Sequence, residues 1–224
     1  MRTAVVTGTS SGIGAAIATR LLGCRWRVIG LDRAQPTIVN PAFTSIAVDL
    51  GDRAERRDAL SKIEAVDALV HAAGIMRGGR LGELDHEAGD LLWRIHVDAA
   101  IGLADHFSPR LSEGGRIVLI GSRAAQGVVA KSQYGAAKAA LVALARAWAK
   151  ELVGRGITVN VVAPAATETA MMTDPSRAIV PPETPPIGRR IRPDEVAALV
   201  HFLLSEDAAA ITGQEISICG GASL

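Results

Sequence analysis

The feature that most constrains this chain is the alternation of short, β-branched apolar runs with segments whose apolar residues have helical spacing. The apolar runs predict seven strands, at residues 3–7, 27–31, 44–48, 68–71, 116–120, 158–162 and 215–218. Most of these runs are continuously apolar, which is typical of strands that are buried on both faces of a parallel sheet.

The segments between the runs predict helices at residues 14–22, 53–63, 87–111, 134–154 and 193–204. Strands that alternate with helices form right-handed βαβ units, so the sheet is expected to be parallel and covered on both sides. A chain of 224 residues favours one domain over two. We therefore expect an α/β fold, a single doubly wound Rossmann-type domain over residues 1–224 with a seven-stranded parallel sheet.

Composition and charge exclude several classes of protein. The chain has 24 basic and 23 acidic side chains and 3% aromatic residues, which argues against nucleic acid or an anionic membrane as partner. No apolar stretch has the length of a signal peptide or of a membrane span, so we expect a cytoplasmic protein. Cys24 and Cys219 are too few and too far apart for a disulfide scaffold or a zinc site. We expect both thiols to be buried, and no bound metal.

A glycine-rich turn joins the first strand to the first helix, in the sequence TGTSSGIG at residues 7–14. Glycines in such a turn let backbone N–H groups approach a pyrophosphate at the helix N-terminus, although plain tight packing is the alternative. The spacing is G-x-x-x-G-x-G rather than G-x-G-x-x-G, but the strand–turn–helix context is the same. The residues expected to bind the cofactor here are Gly8, Ser10, Ser11, Gly12, Ile13 and Gly14.

Three later segments extend the predicted dinucleotide site. Asp32 ends the second strand, where a carboxylate accepts hydrogen bonds from the adenosine ribose and repels a 2′-phosphate. This favours NAD over NADP, although Arg33 partly offsets the charge. Asp49 and Leu50 follow the third strand and are expected near the adenine, with a helix cap as the alternative for Asp49. After the fourth strand, small residues let a cofactor lie close to the backbone, namely Ala72, Ala73 and Gly74.

The strongest chemical signal combines three residues. Tyr134 is the only tyrosine of the chain, and Lys138 lies one helical turn later on the same face. Ser122 follows the fifth strand, at the sheet edge where ligands bind. A phenol titrates near pH 10, so it needs a nearby cation to exchange protons near neutrality, and a lysine at i+4 provides one. The serine hydroxyl can hold a substrate oxygen.

These motifs, together with LDR, VDL, HAAG, YGAAK and NVVAP, resemble those of the short-chain dehydrogenases/reductases in order and spacing over essentially the whole chain. The resemblance implies a catalytic set of Ser122, Tyr134 and Lys138, with the lysine also binding the nicotinamide ribose. It also implies contacts of Pro164, Thr167 and Thr169 with the cofactor. A homotetramer built on the two long central helices is the implied assembly, with a homodimer as the alternative.

The chain departs from the family pattern at three positions. His96 stands where the family has a catalytic asparagine, so it is expected to hold a water, to relay a proton itself, or simply to fill the core. His71 replaces a structural asparagine. Ala165 stands where glycine is usual, which removes backbone freedom near the nicotinamide.

The function expected from these residues is that of an NAD-dependent oxidoreductase that interconverts a small or medium, mainly apolar secondary alcohol and its ketone. The predicted substrate contacts are Met76, Gln126, Val128, Ala165 and Met171, with a short substrate loop at about 167–192. Its proline-rich part, residues 174–186, predicts either a surface loop or a lid. Four basic residues could instead recognise a carboxylate, namely Arg77, Arg80, Arg123 and Lys131. The alternative functions are an NADPH-dependent 3-oxoacyl thioester reductase and a non-catalytic dinucleotide-binding sensor or scaffold.

Overall fold

The computed structural model describes residues 1–173, 181 and 183–224, and its centre is a parallel sheet. The strands of the described chain are β1 (Thr3–Thr7), β2 (Arg27–Asp32), β3 (Phe43–Ala47), β4 (Val66–His71), β5 (Leu111–Ile120), β6 (Thr158–Pro164) and β7 (Glu215–Ile218). Every neighbouring pair is parallel, in the order β3-β2-β1-β4-β5-β6-β7. The predicted fold class is confirmed.

Helices cover both faces of this sheet. They are α1 (Gly12–Gly23), α2 (Arg53–Leu60), α3 (His86–Trp93), α4 (Ala99–Phe107), α5 (Ser132–Leu152) and α6 (Pro193–Leu203). The structure differs from the prediction of a single helix over residues 87–111. One π-helical turn, Arg94–Asp98, separates α3 from α4, and the helix ends at Phe107 because Pro109 cannot continue it. Leu111 already begins β5.

The apolar core forms two layers because alternate strand residues point to opposite faces. Val5 packs with the layer that contains α4 and α5, whereas Ala4 and Val6 pack with the layer that contains α1 and α6. The same alternation repeats along β4, β5 and β6. Burial on both faces explains why these strands read as continuous apolar runs.

The order of the strands opens a crevice between β1 and β4, where the chain reverses its direction of travel across the sheet. Thr7 closes the base of this crevice. Its Oγ1 accepts hydrogen bonds from the backbone N–H groups of Ala72 and Ala73, at 3.0 and 2.8 Å. These hydrogen bonds join the end of β1 to the segment that follows β4.

The prediction that both cysteines are buried was wrong. Cys24 is exposed where α1 ends, and Cys219 is half-buried just after β7. Both follow the end of an element instead of lying on its inward face, which composition cannot reveal. Among the described residues there is no group of His, Cys, Asp and Glu side chains that could hold a metal ion. In the same part of the chain, no helix combines the length and apolarity that crossing a bilayer requires.

Candidate active site

A cavity of about 790 Å³ lies at the carboxyl ends of the central strands. It brings together the residues predicted for catalysis and most of those predicted for binding. The predicted residues that line it are Gly8, Ser11, Gly12, Ile13, Gly14, Asp32, Asp49, Leu50, Ala72, Ala73, Gly74, His96, Ser122, Val128, Tyr134, Lys138, Pro164, Ala165, Thr167, Thr169 and Met171.

Three predicted residues lie outside the wall of the cavity. Met76 is fully buried in the protein interior, and Gln126 is exposed at the end of a 3-10 turn, so we assign no substrate contact to either. The backbone N–H of Ser10 donates to the Asp32 carboxylate, and its hydroxyl donates to the carbonyl of Ala34. Ser10 therefore positions the turn instead of facing the cavity.

The glycine turn has the shape of a cradle for a phosphate group. Gly8 has a φ of +75°, and a Cβ there would lie 2.9 Å from Cα of Ala73. A Cβ on Gly14 would overlap the carbonyl oxygen of Gly8. Ser11 precedes α1 and makes no side-chain capping bond, which leaves its hydroxyl for a ligand. Larger residues in place of Gly8 and Gly14 would collide with the protein's own backbone, so glycine is what lets the turn close tightly. The tight turn leaves the N-terminal N–H groups of α1 facing the cavity, where a dinucleotide pyrophosphate fits.

Asp32 is held in place at the adenosine end of the cavity. Its Oδ2 accepts from the N–H of Ser10, and its Oδ1 accepts from the N–H of Ala34, each at 2.9 Å. Each carboxylate oxygen keeps acceptor capacity, because an ionised carboxylate can take about four hydrogen bonds. The Asp32 carboxylate is thus oriented by the protein and still able to accept from ribose hydroxyls.

The alternative of a helix cap does not apply to Asp49. Asp52 caps α2, accepting from the N–H groups of Ala54 and Glu55 at 2.7 and 3.0 Å. The Asp49 carboxylate instead accepts from the N–H of Gly51 at 2.8 Å and lines the cavity.

The Ser122, Tyr134 and Lys138 side chains come from two elements that flank the cavity. Ser122 follows β5, and its Oγ accepts from the N–H of Ala124 at 3.1 Å, so its own hydrogen remains available to a substrate oxygen. Tyr134 lies in the first turn of α5, and Lys138 lies in the second. The Lys138 Nζ is 5.8 Å from the centre of the Tyr134 ring.

Lys138 is buried, and its ammonium donates to the carbonyl of Ile120 at 2.7 Å. Burial lowers the pKa of Lys138 to about 7, because the charged amine loses its hydration. The ammonium has three hydrogens, so donors remain for a ribose or a water. A lysine with this pKa changes its charge near neutral pH, as groups in functional sites often do.

His96 lies in the π-helical turn and is 1% exposed. Its ring meets that of Tyr134 edge to face, with centroids 5.6 Å apart. Its Nε2 lies 2.8 Å from the carbonyl oxygen of Ile75, to which it donates when protonated. Burial, reinforced by the charge of Lys138, holds the pKa of His96 well below its usual range.

The N–H of Ile75 also points at Nε2 of His96, at 3.3 Å. Because the carbonyl oxygen is closer and can only accept, we assign the hydrogen of neutral His96 to Nε2 and the lone pair to Nδ1. Within the described residues this Nδ1 is buried without a hydrogen-bond partner. The lowered pKa argues against a proton relay that requires a charged imidazole near neutrality, so the holding of a water remains the predicted catalytic role. The side chain also packs against Gly74, where a Cβ would overlap the imidazole.

His71 is hydrogen-bonded to the π-helical turn that carries His96. The Thr7 hydroxyl already accepts two N–H groups, so its hydrogen points at His71 Nδ1, 3.1 Å away. The Nε2–H of His71 then donates to the carbonyl of Ile95 at 3.2 Å. Burial, with a smaller contribution from Lys138, lowers the pKa of His71 to about 3, so this ring is neutral. His71 thus fixes the backbone immediately before His96.

Sequence reasoning missed other residues of the wall. They are Leu31, Val48, Ile75, Leu91, Ile95, Ile120, Gly121, Ala124, Gly221, Ala222 and Leu224. The wall also includes the basic residues named from the sequence, Arg33, Arg77, Arg123 and Lys131. It further includes Ala166 and, from the predicted substrate loop, Ala170, Met172, Pro181, Glu183, Thr184, Pro185 and Pro186. Val48 and Gly121 adjoin predicted site residues at strand ends, so the position of the crevice could have found them. Nothing in the local sequence indicates that Gly221, Ala222 and Leu224 reach the cavity.

The predicted substrate loop at 167–192 is anchored at both ends. Thr167 pairs with Ile191, and the N–H of Ile191 donates to the carbonyl of Ala166 at 2.9 Å. Ala165 lines the cavity without the left-handed backbone that would require glycine. The surface-loop and lid interpretations of residues 174–186 concern a stretch in which 174–180 and 182 lie outside the described residues.

Comparison with known proteins agrees with this geometry. A family model described as enoyl-(acyl carrier protein) reductase matches residues 8–223. The chain is 34% identical over 238 residues to 2,3-dihydro-2,3-dihydroxybenzoate dehydrogenase of Escherichia coli K12, covering 98% of this chain and 96% of that protein. It is also 34% identical over 234 residues to the 3-oxoacyl-(acyl-carrier-protein) reductase FabG of the same organism, covering 97% and 96%. A short chain dehydrogenase from Burkholderia cenocepacia in complex with NADP has a TM-score of 0.88 and 34% identity, covering 100% and 98%.

Proposed function

Because the chain belongs to the short-chain dehydrogenase/reductase family, we propose that it is an NAD-dependent oxidoreductase that interconverts a secondary alcohol and its ketone. Its membership makes it an oxidoreductase with a nicotinamide dinucleotide site. One observation supports the finer proposal above all. Ser122, Tyr134 and Lys138 line the same cavity as the glycine turn of β1 and α1.

When bound, the dinucleotide supplies hydride exchange with the substrate carbon. In the oxidation direction, the Tyr134 phenolate takes the proton of the substrate hydroxyl. The Lys138 ammonium stabilises that phenolate and binds the nicotinamide ribose. The Ser122 hydroxyl donates to the substrate oxygen, which lowers the energy of the charge that develops there. General acid–base catalysis of this kind contributes roughly 10²–10⁴-fold to the rate.

His96 completes the site as the holder of a water. Its neutral ring, with Nδ1 as a buried acceptor, can orient a water that passes protons between Lys138 and solvent. This role needs a polar side chain at that point and no change in its charge.

A second candidate is an NADPH-dependent 3-oxoacyl thioester reductase. The similarity to FabG and to the NADP complex from Burkholderia cenocepacia favours it. Arg33 also lines the adenosine end, where a cation can meet a 2′-phosphate. Against it, the Asp32 carboxylate is fixed at the same end and repels that phosphate. The retained serine, tyrosine and lysine argue against a non-catalytic sensor or scaffold.

A turnover screen separates the candidates. NAD and NADP would each be tested with a panel of apolar secondary alcohols, and NADH and NADPH with 3-oxoacyl thioesters, with Tyr134→Phe as the control for each. We expect oxidation of a secondary alcohol with NAD that the Tyr134→Phe variant lacks. A faster reaction of a 3-oxoacyl thioester with NADPH would instead establish the second candidate.

The assembly is proposed from the family resemblance, and the location is the one expected in the sequence analysis. We expect a cytoplasmic homotetramer, with a homodimer as the alternative, acting on a small molecule. Sedimentation of the purified chain at several concentrations measures its oligomeric state directly.

A further inference from the structure

Charge is distributed unevenly along the cavity. The ends of β2 and β3 contribute Asp32 and Asp49 to one side of β1. Three cationic residues line the wall on the other side, after β4, after β5 and before α5, namely Arg77, Arg123 and Lys131. Among the described lining side chains away from β2 and β3, that of Glu183 is the one carboxylate. The described side chains that line the wall beside Ser122 and Tyr134 thus include more basic groups than acidic ones.

Arg123 is the member of this group nearest the chemistry, since it directly follows Ser122. It opens a 3-10 turn, Arg123–Gln126, for which Ser122 is the cap. Arg123 is half-buried, and in the described parts of the chain its guanidinium makes no hydrogen bond or ion pair. A guanidinium presents up to five N–H donors in a planar fork that matches carboxylate and phosphate oxygens. Partial burial of such a group favours an anionic partner, because the charge is less well hydrated there.

Arg77 and Lys131 are held at this wall by a contact between their two loops. Gly79 and Lys131 form a parallel bridge, and the N–H of Gly79 donates to the carbonyl of Ala130 at 2.9 Å. Ala130 has a φ of +56°, a left-handed conformation that costs an alanine about 1 kcal/mol. The contacts with Gly79 stabilise this conformation, so the two cationic residues stay near each other.

The glycine turn, not this group, fits the cofactor pyrophosphate. That turn lies at β1, whereas Arg77, Arg123 and Lys131 follow β4 and β5 or open α5. Apolar residues line the same wall, including Leu91, Val128 and Met171. The substrate half thus combines an apolar surface with a cationic group beside Ser122.

We propose that the substrate carries an anionic group, a carboxylate or a phosphate, on an apolar body, and that Arg123 binds this group with Arg77 and Lys131 beside it. This inference rests on the proposed function, because it places the reacting hydroxyl or keto group at Ser122 and Tyr134. Since Arg123 is adjacent to Ser122, the anionic group lies a few bonds from the reacting carbon. The proposal narrows the expected class from apolar alcohols to hydroxy or oxo acids and phosphates.

Binding tests the proposal without turnover. Calorimetry with saturating NAD would compare hexanoate, hexyl phosphate and uncharged hexanamide. We expect at least one anion to bind at least tenfold more tightly than hexanamide, and the better anion identifies the carboxylate or the phosphate. Arg123→Gln should remove that advantage, since it deletes the charge without removing a side-chain hydrogen bond or ion pair to any described residue. Arg80→Gln is the matched control, because Arg80 is exposed and lies outside the wall.

Equal binding of hexanamide and both anions, or no binding of either anion, would overturn the proposal. An anion preference that persists in Arg123→Gln, or one that Arg80→Gln removes to the same extent as Arg123→Gln, would overturn it as well.

Kinetics then separates this inference from the proposed function. Wild type would be assayed with 2-hexanol, 3-hydroxyhexanoate and the methyl ester of the latter. We expect kcat/KM for the acid to exceed that for its ester at least tenfold, and Arg123→Gln to lower the acid value mainly through KM. Oxidation of 2-hexanol and of the ester as fast as the acid would refute the anion site alone. Anion binding that depends on Arg123, with no oxidation of any alcohol, would refute the proposed function alone.

Discussion

The two ends of the cavity are built in different ways. At the cofactor end, consecutive backbone groups make the site: the glycine turn lies within eight residues, and Asp32 is held by the N–H groups of Ser10 and Ala34. At the substrate end, Arg77, Arg123 and Met171 come from three loops that meet only in the folded chain. The cofactor end therefore follows from local sequence, whereas the substrate end depends on contacts such as that between Gly79 and Ala130.

The largest expected effect separates chemistry from cofactor binding. Tyr134→Phe removes only the oxygen that exchanges the proton, so turnover should fall by about 10²–10⁴-fold or more. The dissociation constant of NAD should stay nearly unchanged, because the cofactor end keeps its backbone contacts. Rate assays and calorimetry measure the two quantities, and activity above a few per cent of wild type would reject the mechanism.

The next effect tests whether the cofactor end depends on its backbone shape. Gly14→Ala places a Cβ against the carbonyl of Gly8, so the turn must shift and NAD affinity should fall about 10- to 100-fold. Gly23→Ala is the matched control at the other end of α1, where a Cβ would meet nothing within 4 Å. Equal NAD affinities of the two variants by calorimetry would show that the cradle is not tight.

Asp32 tests the side-chain part of the cofactor end. Wild type should bind NAD at least tenfold more tightly than NADP, about 1.4 kcal/mol. Asp32→Ala should narrow this gap because the repulsion of the 2′-phosphate disappears. Equal affinities of the unmutated protein for the two dinucleotides would contradict the assignment of NAD.

His96 lies where the two ends meet, and its replacement should have a smaller effect on rate. His96→Asn should retain most activity, because an asparagine side chain can still hold a water. The rate of His96→Ala should fall severalfold, because an alanine side chain cannot. Since the pKa of His96 is lowered well below 6.5, the pH–rate profile of wild type should show no inflection near 6.5 that His96→Asn removes. Normal turnover of His96→Ala at every pH, with a lower Tm, would assign His96 to the core alone.

The smallest effect concerns stability and not the rate. The folded pKa of His71 is about 3, below the unfolded value of about 6.5, so between these values only the unfolded chain binds the proton. The free energy of unfolding should therefore fall as the pH drops below 6.5. His71→Asn should flatten this dependence by up to one proton, about 1.4 kcal/mol per pH unit. Urea unfolding at pH 6.5, 5.5 and 4.5 measures the slope, and an unchanged slope would show that His71 is charged in the folded state.

The sheet could be predicted because its strands are buried on both faces, which forces continuous apolar runs such as Ala4 to Val6. The break of the long helix at residues 94–98 could not, because no proline or glycine in that turn marks it. The exposure of Cys24 and the partial exposure of Cys219 could not be predicted for a similar reason. Composition gives a preference for burial, but the position of Cys24 past the end of α1 decides its exposure.

Ser122 and most of the predicted cofactor contacts could be placed from strand ends, since parallel strands bring their carboxyl ends to one edge. Tyr134 and Lys138 were placed from their i, i+4 spacing on one helix. Contacts of the substrate end could not be placed in this way. Met76 and Gln126 are close in sequence to wall residues, but Met76 turns into the interior and Gln126 turns to solvent. Loop direction is set by long-range contacts that no local pattern encodes.

Because of the π-helical turn, the rotation of α3 relative to α4 about the common helix axis depends on a single residue. Successive residues of a regular helix are about 100° apart, so a one-residue deletion within residues 94–98 would rotate α3 against α4 by that angle. The helix would keep its length almost unchanged, yet His96 and the inward face of α4 could no longer both keep their partners. A one-residue insertion or deletion at this point therefore changes the direction of every side chain on one of the two helices relative to the other. A library of such length variants would reshape the cavity more than point substitutions would.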